Sequence, residues 1–167
     1  MAAKTGTYTL ITRTVVASSA ASVTLSSIPG VYTDLELIVY VPGTAGITQM
    51  SINYNASYTG YSRTHLFSNG STAQSVRATA QTQAYVAITN DATTAPQMLK
   101  ASFLDYSNTT TYKTLISRWS APTGAYVTSD VNLWQNTSAI TSLIINAVVN
   151  NFAVGTTVSL YGIEAAK

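Results

Sequence analysis

The chain contains no cysteine, so neither a disulfide staple nor a thiolate metal site is available to it. Charge is scarce: eight Lys and Arg against six Asp and Glu make 8% of 167 residues, where ordinary domains carry about 25%. The basic residues (Lys4, Arg13, Arg63, Arg77, Lys100, Lys113, Arg118 and Lys167) are scattered and form no patch. That excludes the clustered cations a nucleic-acid groove needs. There is one histidine, His65. Without a second His or a Cys it has no partners for a metal site, and it is expected to be a partly exposed strand residue. No apolar run approaches the roughly 18 residues of a membrane-crossing helix, and Met1–Leu10 lacks the apolar centre of a secretory signal. No glycine-rich phosphate loop and no Ser-centred elbow is present. Asp91, Asp105 and Asn108 lie near turns without the spacing of a calcium loop. No cofactor is implied.

What is present is material for strands. Hydrophobic residues make 46% of the chain, eleven residues are Tyr, and the remainder is rich in Ser, Thr and Asn. A surface so poor in charge must be covered by hydroxyls, amides and tyrosines or hidden against other chains, which favours life in an assembly. Residues 1–6 read as a flexible arm, and 7–167 as a single domain. Within it, Tyr32–Val41 is the clearest strand: Leu35, Leu37, Val39 and Val41 alternate with Asp34, Glu36, Ile38 and Tyr40. Ile38 and Tyr40 then point away from the core, which makes them the candidate subunit contact. Met98–Tyr106 and Thr111–Trp119 read as a hairpin, followed by Tyr126–Trp134 with Val127, Val131 and Leu133 inward. Ala56–Ala95 reads as a hairpin-and-loop excursion with β-like pieces at 62–67, 76–79 and 83–88. The last thirty residues hold two β-branched or aromatic runs, Ile140–Ile145 and Val158–Ile163, which read as a strand pair near a sheet centre. About ten short strands with turn signals every 8–12 residues, and no capped 3.6-residue period, predict an all-β, antiparallel, two-sheet sandwich, jelly-roll-like.

Candidate chemistry is thin. Asp34 and Glu36 lie two apart on one strand face and are the nearest thing to a carboxylate pair, but they sit on the outer face of a regular strand rather than in a loop. Tyr58, Tyr61, Trp119 and Trp134 read first as core or interface packing, with stacking platforms for sugar rings as the alternative reading. The Asn-x-Ser/Thr triplets at Asn55, Asn69, Asn108 and Asn136 are expected by chance in so Ser/Thr/Asn-rich a chain.

Three pieces, in order, resemble small structural proteins of tailed bacteriophages. Ser26-Ser27-Ile28-Pro29-Gly30-Val31-Tyr32-Thr33-Asp34-Leu35-Glu36-Leu37 is similar to an opening "SSIPxxYTDLxL". Asn53-Tyr54-Asn55 with Tyr58–Tyr61 is similar to "RFNxDxxxNYS", with the usual Asp missing. Thr137–Leu143, Asn151–Thr156 and Ser159–Ile163 together resemble "SAITSIxIxxxxGNFxxGSxxSLYGI". With the intervening Asp105–Lys113, the resemblance spans about residues 8–163. It implies a non-enzymatic virion protein with a β-sandwich fold that forms a homotrimer. A short arm plus one sandwich, with neither shaft nor anchor segment, points to a capsid decoration or cement protein that bridges major capsid protein subunits. The alternative is a tail or head fibre domain that binds host surface glycans. Neither role calls for a nucleic-acid or membrane partner.

Overall fold

The structure is a computed structural model that describes residues 7–43, 47–88, 95–121 and 126–164, with Ile88 described by its backbone alone. The arm expected at 1–6 and the turn acid Asp91 lie outside the described residues. The described residues form twelve strands and no helix. In chain order these are β1 (Tyr8–Val15), β2 (Ser22–Leu25), β3 (Asp34–Val41), β4 (Gln49–Tyr54), β5 (Tyr61–Ser68) and β6 (Ala73–Gln81). They continue as β7 (Ala84–Ile88), β8 (Gln97–Leu104), β9 (Lys113–Ala121), β10 (Tyr126–Trp134), β11 (Leu143–Ala147) and β12 (Thr157–Ile163). The supposed excursion after Ala56 therefore supplies three full strands.

Eight strands pair in the order β1-β12-β3-β8-β9-β10-β5-β6 and four in the order β2-β11-β4-β7, every pair antiparallel. This is the expected two-sheet, jelly-roll-like sandwich, with the chain crossing between sheets at β1–β2, β2–β3, β3–β4, β4–β5 and again later. The final two apolar runs are not partners. β11 lies between β2 and β4 in the small sheet, while β12 lies between β1 and β3 in the large one. Their connection makes the reason plain: Phe152 is buried and bridges back to Ala20, so the segment crosses the sandwich instead of turning as a hairpin.

β3 behaves as its alternation predicts: Leu35, Leu37, Val39 and Val41 are all buried between the sheets. Val158 and Leu160 on β12, Leu99, Ala101 and Phe103 on β8, and Leu115 and Trp119 on β9 extend the same inner layer. β10 reverses the expectation. Thr128, Asp130, Asn132 and Trp134 face inward and are buried, while Val127 and Val131 are exposed and Leu133 is half-buried. The inner face of this half of the large sheet is held by hydrogen bonds, so polar residues take the inward parity.

One close approach locks the two motif ends together. Tyr32, just before β3, lies across Gly162 of β12, so a Cβ there would stand 2.3 Å from the ring. Gly162→Ala is expected to cost roughly 1–3 kcal/mol through displacement of that ring. In a double-mutant cycle read by urea midpoints, Tyr32→Ala should remove most of that penalty. Strictly additive losses would reject the contact.

Candidate functional site

Ser26–Leu37, Asn53–Asn55, Asp105–Lys113 and Thr137–Leu143 meet at one end of the sandwich, around the irregular segment 135–142, whereas Asn151–Thr156 lies at the other end against Val16 and Ala20. Asn55 is the centre of this meeting point. Its backbone has φ of 51°, a left-handed value that Asn tolerates better than most residues. Its Oδ1 accepts hydrogen bonds from Thr141 N (2.9 Å), Ser142 N (3.1 Å) and Thr141 Oγ1 (3.2 Å), and its Nδ2 donates to Ala139 O at 2.8 Å. Ile28 N donates to Thr141 O at 3.0 Å, Thr33 N to Ile163 O at 2.9 Å, and Ile140 N to Tyr106 O at 2.9 Å. Tyr106 in turn donates its hydroxyl to Pro29 O. Lys113, buried on the inner face, donates from Nζ to Thr111 O (2.7 Å) and Thr137 O (3.2 Å). Burial pushes its ammonium down from the ordinary lysine value, with Asp105 opposing. Asn108, a calcium candidate by position, spends its Oδ1 on Thr110 N (2.6 Å) and Thr111 N (3.0 Å). Among the described residues no group of three or more His, Cys, Asp or Glu could hold a metal ion. The motif residues thus satisfy backbone groups of loops far apart in sequence, which is a structural duty.

Three of the four candidate sugar platforms are not surface residues. Tyr61, Trp119 and Trp134 are 1%, 1% and 2% exposed, and only Tyr58, at 56%, is open. Trp134 stacks on Tyr61 (centroids 6.1 Å apart, 17° between planes), and both meet the Tyr54 ring edge-on at 5.4 Å. Tyr54 also meets Phe103 edge-on at 5.7 Å. These rings fill the inter-sheet space, because the inward parity of β10 and β5 ends at Trp134 and Tyr61. Tyr61 Oη accepts from Tyr54 N at 2.9 Å and donates to Ser57 O at 3.2 Å.

Burial raises the Tyr61 phenol to about 12, opposed by the hydrogen bonds from Tyr54 N and Asn53. Tyr54 and Tyr106 are also pushed up by burial. In each case the unfolded chain ionises first as pH rises. The stability Tyr61 contributes is therefore complete below about pH 10 and is lost between about 10 and 12, and Tyr54 and Tyr106 act in the same direction. Alkaline unfolding should coincide with a late step in the tyrosinate absorbance titration. Tyrosinate formation complete by about pH 11 in a chain that stays folded would contradict the buried placement.

The His65 expectation fails in the same direction. His65 is buried, and its Nδ1 lies 2.7 Å from Oδ1 of the equally buried Asp130 on the neighbouring strand β10. Arg63, two residues earlier on β5, packs its guanidinium 4.9 Å over the Tyr85 ring. Burial lowers the Arg63 value, with Asp130 and Tyr85 opposing. Asn132, opposite Arg63, donates from Nδ2 to Tyr85 O at 2.9 Å. His65 and Asp130 lie 65 residues apart in sequence, so no local pattern announces the pair.

The outer face of the eight-stranded sheet is what remains open. Tyr40, one of the two candidate contact residues, is exposed on it and Ile38 is half-buried. Cross-strand neighbours Tyr40 and Met98, and Val131 and Ile116, make apolar pairs, and Leu66 and Val127 extend the surface toward β5 and β10. The exposed basic residues among those described, Arg13, Arg77, Lys100 and Arg118, share this face. Its acid Glu36 is nearly closed off, contrary to an open outward carboxylate. Lys100 Nζ lies 2.9 Å from Glu36 Oε1, and Ser102 Oγ donates to Oε2 at 2.7 Å. Asp34, the other half of the supposed carboxylate pair, accepts Asp105 N at 2.8 Å. Two clefts open on this face. One, of about 540 Å³, is lined by Leu66, Phe67, Val127, Thr128, Gln74 and Arg118. The other, of about 340 Å³, lies among Lys100, Ser102, Leu104, Ile116 and Arg118.

No protein-family model matches the chain, and no curated protein matches it. Among solved structures it is similar to exo-inulinase from Aspergillus awamori, with a TM-score of 0.50 at 13% identity over 93% of this chain. The match spans 29% of that enzyme chain and bears on the fold alone. Galectin LEC-6 of Caenorhabditis elegans gives a TM-score of 0.34 at 10% identity, covering 92% of this chain and 96% of the galectin. The infectious bursal disease virus VP2 subviral particle gives 0.14 at 12% identity, covering 93% of this chain and 41% of that chain. The last two scores carry no structural argument.

Proposed function

We propose that this chain is a non-enzymatic structural subunit of a tailed-phage virion, a capsid decoration protein that stabilises the head by bridging neighbouring capsid subunits. The observation that carries the reading is the outer face of the large sheet. It leaves Tyr40, Met98, Ile116, Val131, Val127 and Leu66 in the open, in a chain with few charges to keep copies apart. The resemblance of residues 8–163 to phage structural proteins supports the same role and implies a homotrimer on the virion surface. Such a protein works through added interface area, which stabilises a shell by binding its assembled form.

The rival role, a tail or head fibre domain that binds host glycans, needs aromatic platforms, and of those named from the sequence Tyr58 alone is open. Quantitative mass spectrometry of purified particles separates the two. About one copy per few major capsid subunits supports decoration, whereas a few dozen copies or fewer would move the chain to the tail or a vertex and reject it. Ile38 and Tyr40 hold the self-contact in this reading. Changing both to Ser should give a monomer by light scattering, and an unchanged oligomer would remove them from the contact.

A further inference from the structure

We propose that the corner of the outer face around Leu66, Val127 and Arg118 is a docking site for a partner protein segment that presents an apolar side chain flanked by carboxylates. This deepens the structural-subunit reading, and rests on it, by naming the surface and the chemistry of what it meets. Three observations converge there. The larger cleft, about 540 Å³, falls within the roughly 300–1,000 Å³ range of pockets that seat a ligand. Its walls are apolar, from Leu66, Phe67 and Val127, with Arg118 at its edge. The second cleft continues from Arg118 along β8 and β9 to Lys100 and Ile116.

Charge selects the occupant. Among the described residues the exposed charges around this corner are the cations Arg118 and Arg77, while Lys100 is already paired with the buried acid Glu36. A second copy docked by a two-fold axis would set these cations against their own images, because such a contact pairs a patch with itself. A partner that brings carboxylates beside an apolar anchor meets both features at once: the anchor fills the cleft and the carboxylates face Arg118. The self-contact proposed for Ile38 and Tyr40 lies on β3, three strands from β10, and leaves this corner free.

The test uses the full chain labelled for NMR and two capped peptides as probes, Glu-Glu-Leu-Phe-Glu-Glu and Lys-Lys-Leu-Phe-Lys-Lys. The acidic peptide should shift the resonances of Leu66, Phe67, Arg118 and Val127, and bind at least about tenfold tighter than the basic one. Added salt should weaken it. Arg118→Glu, an exposed change compatible with the fold, should erase or invert the preference, and Val127→Asp should abolish binding. No shifts at about 1 mM acidic peptide, shifts confined to other surfaces, or equal binding of both peptides would overturn the proposal. So would concentration-dependent shifts of the same residues without peptide, since those would give the corner to a second copy. The assay needs no particle, so its failure leaves the copy number free to decide the virion reading.

Discussion

Trp134→Ala is expected to destabilise the protein by roughly 3–5 kcal/mol, the usual cost of deleting a buried aromatic from a packed core. At this chain length that is a fall in melting temperature of roughly 6–20 °C. The ring is closed in by Tyr61 face to face and Tyr54 edge to face, so the substitution opens a cavity and removes two aromatic pairs. Tyr58→Ala, on an exposed ring, should change stability by no more than about 0.5 kcal/mol. The contrast separates core from binding surface. A Trp134→Ala protein that melts like the parent but loses affinity for a glycan would return this residue to the surface and revive the adhesin reading.

His65→Leu should cost a comparable amount, roughly 3–5 kcal/mol, because it strands a carboxylate. Asp130 is fully buried, and its Oδ2 accepts from the Thr128 hydroxyl at 3.5 Å. Removing the imidazole leaves a charge in a site built for a pair. The double variant His65→Leu with Asp130→Leu should recover at least half of that loss, since a buried ion pair replaced by apolar groups of similar size is often close to neutral. Arg63 sets the limit on recovery, because it loses the nearby negative charge that opposes its desolvation. Urea midpoints of the two single variants and the double variant decide the matter. A double variant less stable than the sum of the singles would mean that the pair does not act as a unit.

The fold was readable where a strand has one apolar face against the core. β3 shows this: the alternation of Leu35 to Val41 gave its orientation and left Ile38 and Tyr40 outside. The same rule misled on β10, where Val127 and Val131 look inward by composition and face out. The inner parity there belongs to Thr128, Asp130 and Asn132, whose partners His65 and Tyr85 sit on strands that local pattern cannot bring near. The favoured core reading of the aromatics holds for Tyr61, Trp119 and Trp134, but sequence could not separate them from the exposed Tyr58. Trp and Tyr carry a polar atom, so composition alone suits them equally to a core and to a binding face. The pairing of β11 with β12 was inferred from their adjacency in sequence, yet the buried Phe152 between them is a core residue in a connection too long for a tight hairpin. The outer-face corner had no sequence signal of its own, because Leu66, Arg118 and Val127 come from three strands and meet only through register.

The pairing of β1 with β12 also has a consequence for how the protein is made. Tyr8 lies opposite Ile163 and Val15 opposite Thr157, so the first strand has no neighbour in its sheet until the last one exists. At the roughly 5–20 residues per second of synthesis, β1 waits on the order of 10–30 s for its partner. In the small sheet β2 likewise has no neighbour until β11 exists, although β4 can pair with β7 sooner. The two sheets are therefore completed only once β11 and β12 have been made. Folding is slowed by loops that must close over most of the domain, and the growing polypeptide carries unpaired strand edges until β12 emerges.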